Sequence, residues 1–176
     1  MILFYLWIWV VFTGFQEEPT LSWSAEYRLE WSDFRGEPED RADVVAVTAS
    51  GLTYGYSTTE YPSGDITYDI DVTAFFYPER SWYMEDEVTD IVLDHERLHF
   101  DITELHARKF RERVKNTTFS RNINREIDDI SKAVHKELRS MQRKYDSETN
   151  YSRLPDKQIL WNEFIRTELK KMEDYR

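Results

Sequence analysis

The sequence predicts an α+β fold, in which a small antiparallel or mixed sheet in the N-terminal half is followed by three long helices. Two patterns predict this order. Apolar and polar side chains tend to alternate in residues 21–83, whereas apolar side chains recur every three or four positions in residues 86–172. A chain of 176 residues is long enough for one hydrophobic core and leaves no room for a second independent fold. We therefore expect one domain over residues 21–176.

Three segments of the first half have the pattern of strands. Residues 25–31 alternate, with their large apolar side chains on one face, and residues 44–56 are rich in valine, threonine and tyrosine. Residues 66–77 alternate again, and the Pro-Ser-Gly-Asp sequence at residues 62–65 predicts a turn before them. We expect the second and third segments to pair as antiparallel neighbours.

Three helices are predicted in the second half. The first covers about residues 86–115, because acidic side chains occupy its first turn and basic ones its last, as the helix dipole favours. Apolar steps of three and four predict a long amphipathic helix over residues 123–145. A loop is expected at residues 146–154, and Pro155 suits the first turn of the last helix.

The first predicted helix carries the most informative stretch of the chain, the H-E-x-x-H run from His95 to His99. Two histidines four residues apart project from the same side of a helix, so both imidazoles can hold one zinc ion. Glu96 then lies beside the metal without binding it, where it can act as a general base on a water molecule. The run predicts a zinc-dependent hydrolase, and a peptidase fits it best.

Two core histidines satisfied by ordinary hydrogen bonds are the alternative interpretation of this run. The glutamate between them and the scarcity of histidine, at 4 of 176 residues, favour the metal site. His106 shares the helix face, but it lies about 10 Å beyond His99 along the axis, so it is expected to line a pocket or to pack. Glu104 projects from the opposite side of the helix and is a poor ligand. The third ligand has to come from another part of the chain.

Residues outside the histidine run also match the pattern of a known family. They are Trp31–Gly36, Ala74, Ser81–Trp82, His95–Glu104, Ala107–Arg108, Tyr145–Thr149, Gln158 and Trp161. On these positions the chain resembles domain of unknown function 922, a bacterial family of predicted secreted zinc-dependent proteases. The resemblance implies a zincin-like fold, in which a sheet edge runs beside the motif helix, together with export and peptidase activity.

One position departs from the family pattern. Members usually carry a histidine two residues after the threonine of the Tyr145–Thr149 block, where this chain has Tyr151. A tyrosine can bind zinc or donate a hydrogen bond to a developing oxyanion, so Tyr151 is a candidate ligand and a candidate catalytic residue. Asp146 or Glu148 could instead complete a site of two histidines and one carboxylate, or could only make helix-end and loop hydrogen bonds. The third ligand is open among these three residues.

Residues 1–15 are uninterrupted by charge and mostly apolar. They are too few to span a bilayer comfortably and are typical of a secretory signal, with an uncleaved membrane anchor over residues 2–15 as the alternative. We therefore expect an exported protein, periplasmic or secreted, whose only contact with a membrane is through this segment. The net charge of −11 argues against nucleic acid as a partner.

These observations predict an exported zinc metallopeptidase that acts on protein or peptide substrates. His95 and His99 hold zinc, Glu96 is the general base, and a residue within 146–151 completes the site. The alternative is an envelope protein that binds metal without catalysis and binds a partner, which the tyrosine at 151 favours. A membrane-anchored interaction protein without metal is the third hypothesis, and it would use residues 106–145, which hold twelve Lys or Arg against five Asp or Glu.

Overall fold

A computed structural model describes residues 18–39, 44–63 and 66–176 of the chain. The expected signal or anchor at residues 1–15 lies outside them. The described residues form the strands β1 (Leu21–Ser22), β2 (Ala46–Val47), β3 (Ser50–Glu60), β4 (Ile66–Phe76) and β5 (Trp82–Tyr83), and the helices α1 (Asp90–Lys115), α2 (Ile123–Thr149) and α3 (Pro155–Lys171). The predicted α+β class, with small antiparallel sheets followed by three helices, is confirmed.

The described strands form two antiparallel sheets. In the larger sheet the order is β1-β4-β3, and β3 and β4 pair without interruption from Ser50 opposite Phe76 to Glu60 opposite Ile66. The predicted pairing of the second and third strand segments is thus confirmed. The smaller sheet contains only β2 and β5.

The predicted strand over residues 44–56 is wrong as a single element, because it belongs to both sheets. Ala46 and Val47 pair with β5, while the chain from Ser50 onward pairs with β4. Between them, the amide of Ala49 donates to the hydroxyl of Ser81 at 2.9 Å. Since this buried hydroxyl takes the place of a neighbouring strand, the ladder is interrupted and the chain changes sheet.

The predicted strand over residues 25–31 is also wrong. Residues 25–26 form a turn, and a single turn of 3-10 helix covers Trp31–Asp33. Side chains satisfy two backbone polar groups of this segment: Arg97 Nε donates to the carbonyl of Leu29 at 2.6 Å, and the amide of Glu30 donates to an Asp33 carboxylate oxygen at 2.7 Å. Leu29 is 2% exposed and reaches the core without a strand, whereas Tyr27 is 50% exposed.

The helix boundaries differ from prediction at two ends. Helix α1 starts at Asp90, four residues later than expected, because the Thr89 hydroxyl accepts from the amide of Val92 at 3.4 Å and caps the first turn. Helix α2 continues to Thr149, so the expected loop at residues 146–154 begins four residues too early. Thr149 is fully buried and its hydroxyl donates to the carbonyl of Tyr145 at 2.8 Å, which holds the last turn in place. The start of α3 at Pro155 is confirmed.

Helix α1 is the centre of the molecule, because it packs against β3 and β4 on one side and against α2 and α3 on the other. Thirteen of its 26 residues are buried. The main core forms around it, and its side chains with no exposure are Phe76, Ile102, Leu105, Ala107, Phe110, Ile127, Val134, Tyr145 and Ile165. A helix buried on both sides can hold polar side chains in fixed positions, since neighbouring elements restrict every rotamer. Among the described residues, no helix is long and apolar enough to cross a membrane.

A buried ion-pair network fixes α1 to the C-terminal part of the chain. Glu104 Oε1 accepts from Arg108 Nε and from Arg111 Nη1, each at 2.9 Å. Arg108, which is 1% exposed, also donates to the carbonyl of Leu169 at 2.8 Å. Glu104 is therefore occupied by two arginines, and it does not lie among the residues that approach the histidine run.

We expect Glu104→Gln to lower the free energy of unfolding by about 2 kcal/mol, because the two arginines would lose the negative charge that offsets their burial. Urea unfolding of the metal-free protein measures the change. The control is Glu137→Gln, which removes one partner of the exposed pair with Arg113 and should cost less than about 0.5 kcal/mol. Equal losses in the two variants would contradict a special role for the buried network.

Candidate metal centre

Helix α1 brings the two histidines of the run together, as the spacing predicts. Their Nε2 atoms lie 3.2 Å apart, and the rings are nearly perpendicular, with 84° between their planes. His95 is 4% exposed and the side chain of His99 is 14% exposed. The ring of Tyr145 stacks on His95 at a centroid distance of 4.4 Å and meets the edge of His99 at 4.9 Å. Both imidazoles are thus packed in place, with their Nε2 atoms facing each other.

Helix α2 adds a carboxylate to this pair. Asp146 Oδ1 lies 3.3 Å from His95 Nε2 and 2.9 Å from His99 Nε2. Asp146 follows the buried Tyr145 in the last turn of α2, so its side chain projects from the edge of the helix face that packs on α1. Its own carbonyl accepts from the amide of Tyr151 at 2.9 Å, which closes the helix end directly beside the site.

The hydrogen bonds around the histidines determine which ring nitrogens are free. His95 Nδ1 lies 3.0 Å from Gln158 Oε1, and His99 Nδ1 contacts Gln142 Oε1. An amide oxygen can only accept, so both Nδ1 atoms carry a proton, and when the rings are neutral both Nε2 atoms present a lone pair. Three electron-rich atoms, the two Nε2 and Asp146 Oδ1, therefore converge on one point. A cation between them would relieve their mutual repulsion, and the donor set His95, His99 and Asp146 could hold a metal ion.

In the absence of a cation, a proton can occupy part of this space. Burial alone would lower the pKa of His99, but the hydrogen bond with Asp146 and the charge of Glu96 raise it above its ordinary value. Burial alone would raise the pKa of Asp146, but its hydrogen bonds with His95 and His99 hold it well below its usual range. The site therefore attracts positive charge, and a metal ion would compete with this proton for the same atoms.

Glu96 lines a cavity of about 520 Å³ together with the three candidate ligands. It is 5% exposed, and its backbone carbonyl accepts from the Thr48 hydroxyl at 3.2 Å. This contact sets α1 beside the segment that includes β2, and residues 44–48 line the facing wall of the cavity. A carboxylate in this position can exchange a proton with a molecule bound at the site.

The structure separates the three candidates for the third ligand. Asp146 lies against both histidines. The carboxylate of Glu148 points away, since its Oε2 accepts from Trp161 Nε1 at 2.9 Å and its Oε1 faces Lys144. Tyr151 lines the same cavity and is 58% exposed. Its backbone is in the left-handed conformation, with φ 53°. The assignment of Asp146 as the ligand, and of any catalytic role to Tyr151, stays a prediction.

His106 lies away from the His95–His99–Asp146 group and packs in the core. It is 1% exposed, and its Nδ1 donates to the carbonyl of Ile102 at 2.8 Å. Burial lowers the pKa of His106 from 6.5 to about 4, because the charged ring would be desolvated. The packing role, one of the two expected for this residue, agrees with this environment.

We expect His106 to make folding sensitive to acid. The unfolded chain binds a proton at His106 near pH 6.5 and the folded chain only near pH 4, so the free energy of unfolding falls as the pH falls through this window. The whole difference between the two pKa values corresponds to about 3 kcal/mol in the free energy of unfolding. Urea unfolding at several pH values should show that His106→Leu loses less stability than the wild type between pH 6.5 and 4. The same pH dependence in His106→Leu as in the wild type would contradict this role of His106.

Two residues at the site were not assigned a role from the sequence, namely Gln142 and Gln158. Gln158 is one of the positions that carry the family resemblance, and no motif described above includes Gln142. A signal for Gln142 does exist, because it lies four residues before Asp146 and therefore on the same side of α2. No such local signal exists for Gln158, whose contact with His95 joins residues 63 positions apart.

The fold and the site together define an α+β protein with a His-His-Asp group that could hold a metal ion. The model of one family, described as a bacterial protein of unknown function (DUF922), matches residues 24–153, and the chain belongs to this family. The resemblance found from the motifs is thereby confirmed as to family. No curated protein and no solved structure matches the chain.

Proposed function

We propose that this chain is an exported zinc-dependent peptidase. The observation that carries the proposal is the convergence of His95 Nε2, His99 Nε2 and Asp146 Oδ1 beside Glu96, at the wall of an open cavity. Export rests on the apolar residues 1–15 alone.

The donor set supports zinc as the metal. Two imidazole nitrogens and one carboxylate oxygen are the ligands of a common class of catalytic zinc sites, in which a fourth position stays open. Ligand atoms of a tetrahedral zinc site lie roughly 3.3 Å apart, and the three separations here are 3.2, 3.3 and 2.9 Å. When bound, zinc supplies Lewis acidity, which polarises a carbonyl group and lowers the pKa of a water molecule.

Glu96 is proposed as the general base and then the general acid. It would accept a proton from the attacking water and donate it to the amine that leaves when the peptide bond breaks. Its position next to His95 in α1 places its carboxylate in the same cavity as the ligands, and its low exposure limits competing solvent. Tyr151, which lines the same cavity, is the candidate donor of a hydrogen bond to the developing oxyanion.

The cavity is large enough and open enough to hold a segment of a peptide substrate. Its volume of about 520 Å³ is open to solvent, and its walls come from both the β2 region and the end of α2. The cavity is lined by the apolar side chains of Val44, Val47 and Val92 as well as by the polar candidate ligands. Such a lining can hold an extended segment of chain across the site while the carboxylate of Glu96 reaches one peptide bond.

The proposal is tested by loading the purified chain with zinc and incubating it with a mixture of unstructured proteins. New peptide termini, identified by mass spectrometry, are the expected result, and they should disappear when a chelator removes zinc. Cleavage that persists unchanged in the presence of chelator would contradict a metal-dependent peptidase, and would point to a contaminating enzyme.

Partner binding without catalysis is the second candidate function. One observation favours it: helix α3 exposes large apolar side chains although its other face is buried. These side chains are Ile159, Leu160 and Phe164, which are 63, 62 and 44% exposed. Zinc binding without any cleavage in the same assay, together with loss of a bound protein partner in a Leu160→Ser variant, would favour this function over the peptidase.

A further inference from the structure

Gln142 holds His99 in one tautomer. Its Nε2 donates to the backbone carbonyl of His99 at 3.0 Å, and a carbonyl oxygen can only accept, so the orientation of this amide is fixed. Its Oε1 must then face His99 Nδ1, which it contacts. The proton of the neutral ring therefore lies on Nδ1, and the lone pair on Nε2 points toward Asp146.

Gln158 does the same for His95 from a different helix. Its Oε1 lies 3.0 Å from His95 Nδ1 and also accepts from the Tyr145 hydroxyl at 2.7 Å. Its Nε2 donates to Asn162 Oδ1 at 2.8 Å. Gln158 is 4% exposed, so water cannot easily replace its amide oxygen. The amide is held at both ends, and its oxygen is held toward the ring.

We propose that Gln142 and Gln158 are positioning residues for the metal, each fixing one histidine so that its Nε2 is free to bind. This inference rests on the metal site of the proposed function. The physical reason is that a neutral imidazole with its proton on Nε2 cannot donate a lone pair from that atom, so the wrong tautomer must first exchange its proton. The glutamine oxygen that accepts from Nδ1 keeps the ring in the binding tautomer, so no proton exchange is needed before the metal binds.

The arrangement also makes the site depend on all three helices. The rings come from α1, Gln142 and Asp146 come from α2, and Gln158 comes from α3. Both partners are neutral amides rather than carboxylates, so they orient the rings without adding negative charge behind them. An acceptor oxygen facing Nδ1 is the property required at these two positions.

The test uses four variants of the full chain: Gln142→Met, Gln158→Met, Gln142→Glu and Gln158→Glu. Methionine has a similar length and cannot accept strongly, whereas glutamate keeps an acceptor oxygen. Zinc affinity is measured by competition with a chromophoric chelator. Each methionine variant should bind zinc about 10- to 100-fold more weakly, and each glutamate variant should stay within about threefold of the wild type or bind more tightly.

Nitrogen-15 NMR of the histidine rings provides a readout that a purely structural role would not change. In the metal-free wild type with both rings neutral, His95 and His99 should show the proton on Nδ1. The methionine variants should show a mixture of tautomers at the corresponding ring, while the glutamate variants should restore the wild-type pattern. Ser131→Ala removes a buried hydroxyl elsewhere on α2 and is the control, for which affinity and tautomers should not change.

The outcomes separate the inference from the proposed function. A wild type that binds zinc, with methionine variants of equal affinity and unchanged tautomers, would overturn the positioning role and leave the peptidase proposal standing. A wild type that binds no zinc would overturn both. Weaker binding in the methionine variants without recovery in the glutamate variants would also count against the inference, because packing rather than an acceptor oxygen would then be required.

Discussion

The Asp146→Asn variant is expected to bind zinc more than about 100-fold more weakly than the wild type, since even the loss of an outer hydrogen-bond partner costs 10- to 100-fold. The substitution keeps the shape of the side chain and removes the charge that lies 2.9 Å from His99 Nε2 and 3.3 Å from His95 Nε2. The wild type, in contrast, should retain about one zinc ion per chain after dialysis. Metal content by mass spectrometry and a chelator competition measure both values.

Glu148→Gln is the matched control for this prediction. Glu148 lies two residues along the same helix turn, but its carboxylate faces Trp161, and a glutamine can still accept from the indole. Zinc affinity should therefore stay at the wild-type level. A strong loss in Glu148→Gln or in Tyr151→Phe, with Asp146→Asn unaffected, would move the third ligand to one of the other two candidates and would contradict the assignment of Asp146.

The Glu96→Gln variant is expected to lose peptide cleavage by about 10²- to 10⁴-fold in kcat while it keeps its zinc. An amide at this position has the same size but cannot accept the proton of the attacking water. Because Glu96 is not among the candidate ligands, the metal content should not change. The ratio of the two kcat values is obtained from the cleavage rates of the wild type and the variant on one substrate peptide, measured at equal zinc occupancy.

Glu87→Gln is the control for Glu96→Gln. Glu87 is an exposed carboxylate that lines the same cavity, so it reports on the general effect of removing a negative charge there. We expect its kcat to change less than about threefold, because an exposed charge is largely screened. A Glu96→Gln variant that retains full activity would falsify the role of Glu96 as base, whether or not zinc is bound.

The parts of the site that the sequence predicted are the local ones. His95, Glu96 and His99 are related by the geometry of one helix, so their relative positions follow from their spacing in the sequence. The same holds for the pairing of β3 and β4, which a short connection joins. These features depend on residues that are close in the chain, where helical and strand periodicity are informative.

The parts that could not be predicted depend on contacts between distant segments. Asp146 could not be chosen over Glu148 because the end of α2 was placed too early, and only the packing of Tyr145 and Thr149 extends the helix past it. The segment at residues 25–31 alternates like a strand, but Arg97 satisfies its backbone from α1, which no local pattern indicates. In each case tertiary contacts override the local preference.

The distribution of the candidate ligands between two helices has a kinetic consequence. His95 and His99 belong to α1 and Asp146 belongs to α2, so a bound ion would join segments roughly 50 residues apart in the chain. Fraying at the C-terminal end of α1, near Lys115, would leave both histidines in place, whereas any movement of α2 away from α1 would break the coordination. The rate at which zinc passes to a chelator in mild denaturant would therefore report how often these two helices separate.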